Sequence, residues 1–348
     1  MSTLMFVAVM VSALADPGAA KGSAAAPLLE KGSALFKQGD TDGALRAFDA
    51  AVKADPTDAR PHYLRGVALE KKGEGAAAEA AYRAALSRKA DFAEAHNNLG
   101  TLLLGKGDAA AGALAFEAAV KARPAYAEAH FNLGVARDAM GGRADAAGAY
   151  REAARLKPAD GSYRMNLGVA LRRQGDVDGA LAALKEAARL APRDALVLAN
   201  LGMIQSDKKL YDEAASSLER ATKLQPELAL AWNRLGRVEL RRDHLDRALE
   251  AQERARKLNP KSGAFAADLC RVLIEKKDTR RAVAECRAAV ALEPKNALAR
   301  YEFGKALVAQ GECADARKEM DKFRALPEVK AEAKEHADAI VKACRKAP

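Results

Sequence analysis

Leu99-Gly100, Leu133-Gly134, Leu167-Gly168, Leu201-Gly202 and Leu235-Gly236 recur at intervals of 34 residues, and Pro124, Pro158, Pro192, Pro226, Pro260 and Pro294 keep the same step. No insertion or deletion breaks this register, which runs through nine units starting at residues 25, 59, 93, 127, 161, 195, 229, 263 and 297. A unit this short cannot bury an apolar face alone, so consecutive units must stack on one another as a helical solenoid. That constraint fixes most of the functional class as well, because stacked repeats build an extended binding surface rather than a catalytic pocket.

With each unit numbered from 1 to 34, position 8 is glycine in every unit but one, where it is Cys270. Position 20 is Ala44, Ala78, Gly112, Ala146, Ala180, Ala214, Ala248, Ala282 and Ala316, and position 27 is alanine from Ala51 to Ala289 before Phe323 ends the series. Small residues at three fixed places let helix backbones approach closer than the usual separation of about 8–10 Å. Larger apolar residues at positions 4, 7, 11 and 24 are expected to fill the space between units. Gly39, Gly73, Gly107, Gly141, Gly175 and Gly311 share position 15, where a turn between two helices demands positive φ. Proline at position 32 stops the second helix, since it has no amide hydrogen and clashes with the preceding turn.

These residues resemble the tetratricopeptide repeat (TPR) family. Trp232, Leu235, Gly236, Ala248, Ala255 and Pro260 carry the family's pattern within one unit. The resemblance implies an all-α fold, a right-handed α-solenoid of nine TPR helix-turn-helix units plus a C-terminal capping helix. The string A-E-A-H-x-N-L-G at residues 93–100 and 127–134 is most similar to the repeat domain of O-linked N-acetylglucosamine transferases. Those enzymes continue into a large catalytic domain. This chain ends at residue 348, soon after its last repeat, so the resemblance carries no expectation of glycosyltransferase activity.

The two ends read differently. Residues 4–15, LMFVAVMVSALA, are apolar, and Ala13-Leu14-Ala15 fits the small-x-small rule for signal-peptide cleavage. The expected layout is a signal peptide at 1–15, a linker at 16–24, the nine-unit solenoid at 25–328, and a capping helix with tail at 329–348. The apolar run is shorter than the roughly 20 residues that a bilayer core requires, so no integral membrane span is expected. Export to the periplasm or cell envelope follows; a cytoplasmic adaptor is the alternative if the run is retained. At the other end, Ala333, Ala337, Ile340, Val341 and Cys344 would face the core of a helix that closes the last apolar face.

All four cysteines lie in the last quarter of the chain, and an even count in an exported protein suggests disulfides. Cys270 and Cys286 occupy positions 8 and 24 of one unit, which antiparallel helices bring level. Cys313 lies in the turn of the ninth unit, and Cys344 near the end of the capping helix. The expected bridges are Cys270–Cys286 and Cys313–Cys344. No C-x-x-C or paired-histidine spacing suggests a metal site, and no cofactor is expected.

In this architecture the first helices line a concave groove, with positions 2, 5, 6, 9, 12 and 13 pointing into it. Position 6 reads Asn98, Asn132, Asn166 and Asn200. An amide donates and accepts at once, so such a row suits the backbone of an extended peptide; in the glycosyltransferase repeat domains that this stretch resembles, an asparagine ladder of this kind holds peptide backbone. Phe131, Val135, Met165, Val169 and Met203 around it suit apolar side chains, methionine adapting its shape to several partners. Further along, Arg237, Arg271 and Lys305 share position 9, with Arg234 and Arg241 beside the first. This basic groove suits carboxylates of an acidic segment; the alternative is a solvated face with internal ion pairs, since Asp268, Glu275 and Glu302 lie in the same region. The family's carboxylate clamp is not expected, because Met165, Val169 and Leu230 stand where it needs polar residues. His62, His96 and His130 share position 4, spaced one unit apart and too far to hold a common ion, so a packing role is expected.

The formal charge of +10 does not by itself point to nucleic acid. Acidic residues interleave with the basic ones in every unit, and aromatic residues make up 5% of the chain, too few for a base-stacking platform. No motif for catalysis or small-molecule turnover interrupts the repeats. The expectation is a non-enzymatic scaffold that binds an extended segment of a protein partner. The alternative is a structural subunit of an envelope secretion, pilus or outer-membrane assembly, docked through its convex face or ends.

Overall fold

The computed structural model describes residues 24–344, which form nineteen α-helices with no strand among the described residues. The expected signal peptide, nearly all of the linker and the last four residues lie outside them. The chain divides into two compact units, residues 1–175 and 176–348. The boundary falls inside the fifth repeat, where the 34-residue register continues without a mark, so the sequence gives no sign of it.

The first unit contains α1 (Ala26–Lys37), α2 (Thr41–Ala54), α3 (Ala59–Lys71), α4 (Gly75–Leu86), α5 (Ala93–Gly105), α6 (Ala109–Ala122), α7 (Ala127–Ala139), α8 (Arg143–Leu156) and α9 (Gly161–Gln174). The second contains α10 (Val177–Leu190), α11 (Ala195–Asp207), α12 (Tyr211–Leu224), α13 (Ala229–Arg241), α14 (Leu245–Leu258), α15 (Gly263–Glu275), α16 (Thr279–Leu292), α17 (Ala297–Gln310), α18 (Cys313–Arg324) and α19 (Ala331–Cys344). Within each unit a helix packs on the one before it and the one after it, and first helices of neighbouring repeats also touch, as α5 with α7 and α13 with α15.

Local chemistry sets each turn. Position 15 has positive φ in all nine repeats: six glycines between 80° and 91°, and Lys209, Asp243 and Lys277 at 61–62°. At the next residue Asp40, Asp108, Asp176 and Asp278 accept a hydrogen bond from the backbone N–H three residues on, capping α2, α6, α10 and α16. The alanines at positions 20 and 27 are fully buried, from Ala44 and Ala51 to Ala282 and Ala289.

The glycine at position 8 has a specific reason. A Cβ on Gly32, Gly66, Gly100 or Gly134 would lie 2.5–2.7 Å from the ring of Phe48, Tyr82, Phe116 or Tyr150, the residue at position 24 of the same repeat. Each ring therefore lies against bare backbone, and burying such a side chain contributes roughly 1.5–3 kcal/mol. In the eighth repeat the same contact is covalent. Cys270 and Cys286 are bridged, their Cα atoms 5.4 Å apart. Cys313 and Cys344 are bridged as well, at 5.7 Å. That second bond ties α19 to α18, where Ala337 and Val341 bury against Met320 and Phe323.

Candidate interaction surface

The first-helix face of the first unit carries a hydrogen-bonded relay. Asn132 on α7 donates to Asn97 Oδ1 at 3.0 Å, Asn97 donates to Asn98 Oδ1 at 3.4 Å, and Asn98 donates to the Tyr63 hydroxyl at 3.3 Å. Burial pushes the Tyr63 phenol well above its ordinary pKa, so it remains a neutral partner. Two of these links join position 5 of one repeat to position 6 of the next. The second unit repeats the link as Asn233 to Asp268 Oδ2, 2.9 Å, with Gln252 Oε1 sharing the same amide group at 2.9 Å. Where position 5 is Phe131, no such partner exists, and Asn166 donates to Ser162 O in its own helix, 2.9 Å. Asn200 accepts from Arg234 at 3.1 Å.

The four asparagines therefore differ. Asn98 and Asn200 are buried, each 7% exposed, while Asn132 and Asn166 are half-buried. Phe131 is half-buried between Tyr150 and Tyr163, with ring centroids 5.5 and 5.0 Å away. Val135, Met165 and Val169 in the first unit and Met203 in the second are half-buried too.

The cations separate as sharply. Arg271 donates to Glu302 Oε1 at 3.0 Å, and Lys305 pairs with the other oxygen of that buried carboxylate at 3.2 Å. Arg237 stands in the same relation to Asp268, 31 residues on, yet makes no such pair. Aspartate is one methylene shorter, and its Oδ2 is held by Asn233. The Arg237 and Arg241 side chains are exposed and form no hydrogen bond or ion pair among the described residues. Leu230 lies seven and eleven residues before them, on the same face of α13, and is 36% exposed; Leu196, at the same position one repeat earlier, is 41% exposed. Both leucines stand at position 2, which the repeat pattern turns toward the groove, and they are exposed there.

The histidine row is a turn device. His96 and His130 bond the carbonyls of Ala90 and Pro124, at 2.8 and 2.9 Å, six residues back at the end of the previous repeat. Arg164, Trp232 and Arg300, also at position 4, donate to Pro158, Pro226 and Pro294 in the same way. His62 alone in the row finds no partner for Nε2, and the Pro56 carbonyl accepts from Arg88 instead, at 2.7 Å.

Ion pairs also join neighbouring repeats, outside the 34-residue register. Lys72–Asp42 in the first unit and Lys208–Asp178, Arg242–Asp212 and Lys276–Asp246 in the second each join position 14 to position 18 of the repeat before. Their signal was a charge alternation at a step of 30, hidden behind the step of 34.

The tetratricopeptide repeat model matches residues 29–95, 97–139, 135–195 and 201–263, and a second model of that repeat matches 273–325.

The chain belongs to the tetratricopeptide repeat family.

No curated protein matches this TPR chain in sequence. Among solved structures it is similar to a chain of the APC/C hetero-tetramer Cut9–Hcn1, with a TM-score of 0.59 and 20% identity over 82% of this chain and 56% of that one. It thus spans little more than half the length of that protein. It is also similar to YrrB, described as a TPR protein with an unusual peptide-binding site, with a TM-score of 0.50 and 24% identity over 54% of this chain and 96% of that one. A TPR protein from Parabacteroides merdae matches with a TM-score of 0.52 and 16% identity, over 72% of this chain and all of that one. These likenesses concern the fold. The TPR architecture is that of a protein-interaction scaffold, and no helix among the described residues is long and apolar enough to cross a membrane.

Proposed function

We propose that this TPR protein is a non-enzymatic scaffold that holds an extended, acidic segment of a protein partner against its first-helix face. The observation that carries this reading is on α13: Arg237 and Arg241 are exposed without partners, in line with exposed Leu230. Guanidinium groups four residues apart on a helix are neighbours, and they present fixed donor forks to carboxylates. A ligand with an apolar residue near two carboxylates complements that face. In the first unit the half-buried Asn132 and Asn166, beside Phe131, Val135, Met165 and Val169, form a second, apolar stretch suited to backbone pairing. Export to the envelope is supported by the apolar N-terminal run and by the two bridged cysteine pairs, which suit an oxidising compartment.

The test is fluorescence anisotropy with labelled ten-residue peptides that pair a leucine with two glutamates, beside glutamine analogues. Acidic peptides are expected to bind, to weaken with salt, and to lose at least about tenfold affinity in Arg237→Glu/Arg241→Glu. Equal binding of acidic and neutral peptides, or no effect of that variant, would overturn the assignment.

Docking through the second-helix face is the other reading, and one observation favours it. Leu114 on α6 is 68% exposed. Leu114→Lys would abolish assembly on that reading and leave peptide binding intact on the first.

A further inference from the structure

The two disulfides of the second unit differ in access. Cys270 and Cys286 are both fully buried. Cys313, by contrast, is half-buried at the first residue of α18, and it bonds Cys344 at the last residue of α19. α19 packs on α17 and α18 through a small apolar set: Ala337 and Val341 are buried, with Ala333 and Ile340 partly so. An ion pair between Arg324 and Asp338 adds a polar link. A helix of 14 residues is marginal on its own, and among the described residues this one packs only on the two helices before it, whereas an internal helix also packs on the one that follows. Beneath it lie Met320, fully buried, Phe323, and Tyr301, whose ring centroid is 5.3 Å from that of Phe323.

We propose that Cys313–Cys344 is a redox latch on the terminal helix. A dithiol reductant, whether a small molecule or a protein, opens this bond ahead of the buried one and releases α19 from α17 and α18. The reductant's thiolate attacks the sulfur of Cys313, the less buried partner, forming a mixed disulfide and expelling Cys344 as a thiolate that takes up a proton. The reductant's second thiol then displaces Cys313. The dithiol ends as its own disulfide, and two electrons and two protons have passed to the cysteine pair. Release uncovers Tyr301, Met320 and Phe323, so the state of one bond decides whether the last apolar face of the array is open. The proposal stands apart from the peptide-binding reading, since it concerns neither α13 nor the first unit.

The test uses the full oxidised chain titrated with dithiothreitol, with differential alkylation to follow each cysteine and hydrogen exchange to follow each helix. Cys313 and Cys344 are expected to become alkylated at least about tenfold faster than Cys270 and Cys286. The amides of α19 should then lose protection while those of α13 keep theirs. Cys313→Ser/Cys344→Ser should show the same exchange without reductant, and Cys270→Ser/Cys286→Ser should leave α19 protected. Simultaneous opening of both bonds, or an α19 that stays protected once its bond is reduced, would overturn the proposal.

Discussion

Asn132 donates through Nδ2 to Oδ1 of Asn97, 3.0 Å away in the preceding repeat, and Asn97 is only 7% exposed. The pair makes Asn132 a strut between repeats through Nδ2, while no bond among the described residues occupies its Oδ1. Asn132→Ala strands the Asn97 acceptor, and a buried polar atom left without its partner costs about 1–3 kcal/mol. Asn166 bonds only its own helix, so Asn166→Ala should change stability by less than about 0.5 kcal/mol. Urea unfolding of the two variants side by side distinguishes the roles, and equal losses would refute the distinction.

Lys209, Asp243 and Lys277 hold positive φ where the other six repeats use glycine. A side chain there is crowded against its own backbone. Replacing each by glycine removes that penalty at some cost in unfolded-chain entropy, so a net gain of about 0.5–1 kcal/mol per site is expected. Thermal midpoints of the single and triple variants would show it as a stepwise rise.

Two glycines of α5 should respond in opposite ways. A Cβ at Gly100 would lie 2.7 Å from Phe116, whereas one at Gly105 meets nothing within 4 Å. Gly100→Ala is expected to destabilise by about 1–3 kcal/mol through overpacking. Gly105→Ala should stabilise by up to about 1 kcal/mol through helix propensity. The same denaturation series decides both.

Burial, reinforced by Arg88 and Arg65, lowers the His62 pKa below its ordinary 6.5. The unfolded chain therefore binds this proton more tightly than the folded one does. Stability contributed by neutral His62 is present above pH 6.5 and declines as the pH falls from there toward the lowered folded value. His62→Leu, the residue found at this position as Leu198, should flatten that decline. A pH series of urea midpoints from neutral to mildly acidic would reveal it, and an unchanged slope would assign the acid sensitivity elsewhere.

How far the fold could be read beforehand follows from which interactions are periodic. Helix pairs, turn glycines and the position 8–24 contact repeat every 34 residues, so they could be read from one string. The same contact brings Cys270 level with Cys286. The division after Gly175 leaves no trace in the register. The fate of the polar groove residues was hidden for another reason. Whether Asn98, Asn166 or Arg237 is occupied depends on a neighbour's length or polarity, Tyr63 in the first case, Phe131 in the second and Asp268 in the third. That is a property of pairs, and a column of identical residues conceals it.

The carbonyl that closes each repeat raises a last point. Pro56, Ala90, Pro124 and Pro158 in the first unit, and Pro192, Pro226, Pro260 and Pro294 in the second, all receive a side-chain N–H. The donor is histidine, arginine or tryptophan, and it comes from the following repeat or, for Arg256, from the same one. The acceptor is thus a fixed socket, while the plug is interchangeable. Individual repeats can drift in sequence, or be shuffled by an engineer, and still lock to their neighbours so long as one N–H reaches that oxygen.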